Sequence, residues 1–163
     1  MQTMVLSPQV QSADVPTASA TLSSRHKLAG FLAGAGALLL PVTMSLPWYR
    51  AADGGQTFSA WDGYRFVAAE MVLLAVAGAW LALRLLAGTP VRETALRVII
   101  GVAFAVTISM VVALFIARPG GNHATALAFG GYAAFLAINA IKGSAILMTI
   151  KAHRRAASSP VSA

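Results

Sequence analysis

Cysteine is absent from this chain. That removes disulfides, thiolate metal sites and a cysteine nucleophile, and it leaves the redox compartment open. Charge is scarce as well: 10% of the residues are charged, and only five of the 163 are acidic. A soluble domain carries roughly 25% charged and about 45–50% apolar residues, whereas 58% of this chain is hydrophobic. A larger core does not resolve that excess, because a surface facing water needs polar cover. A surface facing lipid does not. Reaction centres are missing too. No Ser/His/Asp set, paired carboxylate or glycine-rich phosphate cradle stands in the sequence, and His26, His123 and His153 are too scattered to form one metal site. No cofactor, no metal and no catalytic residue is therefore expected.

What is present is a series of four apolar runs. Residues 1–24 are rich in Ser, Thr, Ala, Gln, Pro and Val, with Asp14 as their one acid, and read as a disordered cytoplasmic tail. The first run, Leu28 to Leu46, follows Arg25, His26 and Lys27 and covers about 28 Å as a helix, near the thickness of a bilayer core. Ser23 or Ser24 is placed to cap it, Pro41 to kink it and Pro47 to end it. Lys27 ahead of a short apolar stretch also fits a cleaved secretory signal, with Thr43-Met44-Ser45 as a poor cleavage site.

The second helix is expected over 60–87, because Ser59-Ala60-Trp61-Asp62 has capping-box spacing with Asp in place of the usual Glu or Gln. Gly88 should stop it, and Thr89-Pro90 should start the third, over 90–117, as N-cap and first helical residue. Arg118-Pro119-Gly120-Gly121-Asn122 then reads as a turn. A fourth helix over 124–150 leads into Lys151, His153, Arg154 and Arg155, and 156–163 close the chain as a short tail. Short connections favour antiparallel neighbours, so residues 25–155 are expected to form an all-α, four-helix transmembrane up-down bundle.

The net charge of +7 does not point to nucleic acid, because the basic residues flank apolar runs instead of gathering on a polar domain. With the N-terminus inside, the cytoplasmic side carries Arg25, Lys27, Arg84, Arg92, Arg97, Lys142, Lys151, Arg154 and Arg155, and the outside carries Arg50, Arg65 and Arg118. Nine against three places both termini in the cytoplasm. The lipid bilayer is the first partner this composition calls for.

Within the apolar runs a few polar groups stand out. Glu70 lies about 6 Å inside the second run, as an ion-path carboxylate or as an interfacial one paired with Arg50, Arg65 or Arg118. Glu70, Ala77 and Arg84 recur on one face, as do Tyr132, Phe135, Asn139 and Lys142. Those faces should point into the bundle or at a partner, with Asn139 bonding across helices to Thr107. Lys142 is placed about 27 Å from the outer end of the fourth helix, some 20 Å from Glu70. It is grouped with Arg84, Lys151, Arg154 and Arg155 as an inner-leaflet anchor that snorkels to the headgroups. Gly30 and Gly34 form a GxxxG on the first helix, a motif that permits close helix approach or dimerisation.

The first outer loop is the most distinctive segment. Asp53-Gly54-Gly55 suits the turn of a short hairpin. Trp48, Tyr49, Trp61 and Tyr64, beside Arg50, Asp62 and Arg65, suit either an aromatic membrane belt or a docking surface. The sequence from Leu46-Pro47-Trp48-Tyr49 to Phe58-Ser59-Ala60-Trp61-Asp62 resembles that of small four-helix membrane proteins common in actinobacteria. That resemblance implies a bundle fold and a bacterial plasma-membrane address, with no assigned activity and no catalytic residues. Two functions follow as expectations: a non-enzymatic accessory or scaffold subunit, acting on a membrane-protein partner or by self-association, or a small oligomeric transporter lined by Glu70 and Asn139.

Overall fold

A helix in lipid satisfies its own backbone, so long apolar runs with no internal partner strand fold as helices. The computed structural model describes the backbone of residues 18–51, 56–115 and 124–158 and the side chains of 24–50, 56–115 and 128–150. In chain order these form α1 (Ala18–Ser45), β1 (Tyr49–Ala51), β2 (Thr57–Phe58), the single turn α2 (Ala60–Gly63), α3 (Arg65–Leu86), α4 (Glu93–Phe115), β3 (Ala124–Leu127) and α5 (Phe129–Ser158). Four stretches are long and apolar enough to cross a membrane: Ser24–Ser45, Arg65–Leu86, Glu93–Phe115 and Phe129–Ile150. At 22 or 23 residues each, they reach about 33 Å.

The boundaries depart from the sequence reading in instructive ways. α1 begins at Ala18, so Ser23 and Ser24 lie inside it and do not cap it. Nothing between Ala18 and Arg25 breaks a helix, the nearest proline upstream being Pro16. The rest of the expected tail lies outside the described residues. α1 runs through Pro41 and stops at Ser45, two residues before Pro47.

The helix expected over 60–87 is two helices, divided at Tyr64, whose backbone (φ −144°, ψ 57°) is not helical. Gly88 does end α3, in the left-handed conformation (φ 69°) that a glycine adopts without strain. Thr89 does not cap the helix that follows. Its hydroxyl and its N–H both donate to Arg84 O, at 2.8 and 2.9 Å, so it closes α3. α4 starts at Glu93, which accepts a 2.6 Å ion pair from Arg97 one turn on. The expected turn at 118–122 lies outside the described residues.

The fourth helix starts at Phe129, not at Ala124. Residues 124–127 instead form β3, antiparallel to β1, and the sheet order is β2-β1-β3. The reason is backbone satisfaction: the β1–β2 pair (Tyr49 opposite Phe58) leaves a second edge on β1 beside the membrane, and β3 pairs it.

α1 packs between α3 and α5, while α4 packs on α5 and α3. Gly30 meets Leu85 and Leu86, Gly34 meets Ala82, and Ala37 meets Gly78, so α1 runs antiparallel to α3. It runs antiparallel to α5 as well, since Gly36 meets Ala137 and Ile141 while Ser144 bonds Ala29. The Gly30–Gly34 pair is thus spent inside the chain, against α3. Gly36 allows the closest approach: a Cβ there would lie 2.6 Å from the carbonyl oxygen of Ala137. The buried interior is Ala, Leu, Met, Val and Ile, while Phe31, Leu38, Leu73, Leu83, Ile108 and Leu136 are exposed around it. Large apolar side chains on the outside suit a surface whose solvent is hydrocarbon, and the small residues Gly30, Gly34, Gly36 and Gly78 stand where helices approach most closely.

Candidate functional site

The sheet end of the molecule carries the aromatic loop. The structure divides that loop into an interior and a surface. Trp48 is fully buried, donates its indole N–H to Thr43 O at 2.9 Å, and its backbone bridges the two outer strands: Trp48 N–H to Phe58 O at 2.7 Å, Ala128 N–H to Trp48 O at 2.8 Å. Tyr49 is buried and donates its hydroxyl to Leu114 O at the end of α4. Its ring stands 6.2 Å from that of Tyr64, also buried, at a 53° tilt. These three aromatics tie α1, α3 and α4 to the sheet. They are neither belt nor docking surface, because rings at the two ends of the loop, next to α1 and α3, are covered by the strands and helix ends folded around them.

Arg50, Trp61, Asp62 and Arg65 form the exposed remainder, Trp61 at 45%. Asp62 accepts the Ser59 N–H at 3.1 Å and the Ser59 hydroxyl at 2.7 Å, the expected box that starts α2. Those two bonds, the hydroxyl first, hold the Asp62 carboxyl below its usual range, and the nearby Arg65 charge adds to the effect.

The polar groups within the spans do not converge. Glu70 is half-buried, and its Oε2, enclosed by protein, has no hydrogen-bond partner among the described residues. It makes no ion pair with Arg50 or Arg65, and Arg118 lies outside the described residues. Asn139 and Thr107 do not meet. Asn139 donates to Phe135 O at 2.8 Å and Thr107 to Ala103 O at 2.7 Å, each within its own helix. The Glu70–Ala77–Arg84 face is partly or fully exposed, off the buried side of α3. The same holds for Tyr132, Phe135, Asn139 and Lys142 on α5.

Lys142 departs most from expectation. Because α5 starts at Phe129, Lys142 stands only about 20 Å from that end. Ile141 packs on Gly78, so helical rise places Lys142 about 14 Å from Glu70 and about 8 Å nearer the sheet end than Arg84. Its ammonium lies 4.6 Å from the ring centre of Phe104, midway along α4. Arg84 instead rests on Trp80 of its own helix at 5.6 Å. A ring contact is worth about 0.5–2 kcal/mol, against roughly 2.5–3.5 kcal/mol for a lysine at mid-membrane. Phe104 alone does not balance Lys142. Lys151, Arg154 and Arg155 follow on the last turns of α5, their side chains outside the described residues.

Two residues escaped the sequence reading. Ser144 and Thr43 are buried polar side chains of the interior; Ser144 bonds Ala29 O across helices at 2.7 Å, and Thr43 bonds Leu40 O at 2.8 Å. Ser144 sits between Gly143 and Ala145 in a small-residue stretch, and only the α1–α5 contact singles it out.

Four helices of membrane-crossing length, with apolar side chains facing outward, define a multi-pass membrane protein. Comparison with protein-family models, with curated proteins and with solved structures finds no match for the chain.

Proposed function

We propose that the chain is a non-enzymatic accessory or scaffold subunit of a bacterial plasma membrane, acting through helix and sheet-end contacts with a membrane partner. In this reading it is an up-down bundle with both termini in the cytoplasm, as the excess of Lys and Arg beyond the ends of the spans supports. The observation that carries the role is the division of polar groups. Among the described residues the fully buried polar side chains, Thr43 and Ser144, are spent on backbone carbonyls. Asn139 and Lys142 are half-exposed, on faces open to a neighbour, and leave Glu70 as the one half-buried polar group among the described residues with an unpartnered oxygen inside the protein.

The test is mild purification of the tagged chain from its native membrane, as wild type and as Trp61→Ala with Arg65→Ala. Trp48 is unsuitable for this purpose, being buried. Loss of a stoichiometric companion in the double variant is the expected result, and unchanged complexes would end the docking role of the loop. Orientation is checked in the same preparation: the chain has no cysteine, so Gln56→Cys reports without background, and an impermeant maleimide should label it from outside.

The unpartnered Oε2 of Glu70 favours one further reading, a transport subunit. Under it Glu70→Gln alters flux in proteoliposomes.

A further inference from the structure

We infer that Lys142 and the α4–α5 face around it form a docking site, inside the membrane, for a transmembrane helix of a different protein that carries an Asp or Glu at mid-depth. The inference rests on the accessory reading and names the chemistry of the partner.

It starts from where the charge is held. Side chains on a helix tilt toward its N-terminus, and the N-terminus of α5 lies at the sheet end, where the Gly130 N–H bonds Pro47 O. Lys142 therefore leans toward the membrane middle, away from the nearer headgroup layer at the far end of α5. Its ammonium sits over Phe104, itself 49% exposed. The cation is neither sealed in the interior nor delivered to the interface. It stands half-exposed on an outer face, where hydrocarbon is its other neighbour.

Among the described residues no carboxylate stands at that depth. The chain's five acids are Asp14, Asp53, Asp62, Glu70 and Glu93. Asp14 precedes the first span, and Asp53 lies in the connection between β1 and β2. Asp62 is bonded to Ser59 at the sheet end, and Glu93 is bonded to Arg97 at the first turn of α4. Glu70, the one acid within a span beyond its first turn, is about 14 Å away along the membrane normal. A second copy inserted in the same sense carries its acids at the same depths, so self-association does not neutralise Lys142. A carboxylate on another protein's helix does.

The neighbouring surface admits a helix. Gly101, one turn before Phe104 on α4, has open space where a Cβ would lie, and so has Gly143 beside Lys142. Phe135 and Ile108 are exposed along the same pair of helices, and Asn139, one turn from Lys142, is half-exposed. A crossing helix can approach closely at the glycines while its carboxylate meets the ammonium.

The experiment uses the whole chain in phosphatidylcholine liposomes, labelled at Gln56→Cys, with energy transfer to a synthetic polyleucine helix bearing one central Asp. The central-Asp helix should associate about tenfold more tightly than an all-Leu helix, or than one with its Asp moved seven residues toward either end. That preference should vanish in Lys142→Met and persist in Lys142→Arg. Equal association of all helices, or a preference that survives Lys142→Met, overturns the site. A preference abolished by including phosphatidylglycerol also overturns it, by assigning Lys142 to lipid phosphate. The displaced-Asp helices keep the test decisive should Lys142→Met unfold. Failure of the Trp61/Arg65 loop leaves this measurement intact, so the two ideas fall separately.

Discussion

Replacing Trp48 by alanine tests the division of the aromatic loop most directly. The indole is fully buried and removes about 200 Å² from water, worth roughly 5 kcal/mol at 25 cal/mol per Å² as an upper bound. Its N–H bond to Thr43 O adds about 1 kcal/mol. Measured costs for deleting a buried aromatic run to about 3–5 kcal/mol, and for a chain of this size that lowers the midpoint of thermal unfolding by roughly 10 °C. Trp61, 45% exposed on the same loop, should cost less than about 1 kcal/mol. Trp48→Phe keeps most of the ring and loses the N–H, so it should fall between them. The assay is helix ellipticity against temperature in detergent micelles, with all three variants purified in parallel. If Trp48→Ala and Trp61→Ala melt together near wild type, the sheet does not cap the helices and the site must be redrawn.

Two further outcomes can be measured on the same material. Gly36→Ala places a methyl 2.6 Å from the Ala137 carbonyl oxygen, a backbone atom that cannot step aside, and should destabilise by about 1–3 kcal/mol; Gly101→Ala, in open space, should be neutral or slightly stabilising in the same melt. Asp62, whose carboxyl is held below its usual range by Ser59, supports the start of α2 fully above its unfolded pKa. That support is lost as the pH falls through the lower folded value. Carboxyl NMR of Asp62 should show the low titration point and its return toward normal in Ser59→Ala; an unshifted wild-type titration would refute the bond.

Much of the helical framework is legible without the structure, because apolar runs bounded by Pro, Gly and basic residues have one economical solution in lipid. Gly88 and the Ser59–Asp62 box are local signals, and both appear where the spacing puts them. Legibility ends where a residue's role depends on distant chain. Ala124-Thr125-Ala126-Leu127 opens an apolar run and reads as helix, yet it is a strand because β1, more than seventy residues earlier, offers an open edge. Thr89 carries the sequence mark of an N-cap and serves as the closing bond of the preceding helix.

The candidate site divides in the same way. That Trp48, Tyr49 and Tyr64 are aromatic and near an interface is a property of sequence; that they are buried is a property of the sheet folded over them. Asn139 and Thr107 are polar at the right depth to pair, but side-chain bonds within a helix need no partner and form instead. By itself the sequence determined that four helices of bilayer length form, since hydrophobic length is local and additive. Tertiary structure alone decided which face each helix turns inward and how far one slides against the next. Those choices rest on close contacts such as Gly36 on Ala137 and Ser144 on Ala29, which bring together residues over a hundred positions apart and leave Lys142 beside Phe104, midway along α4.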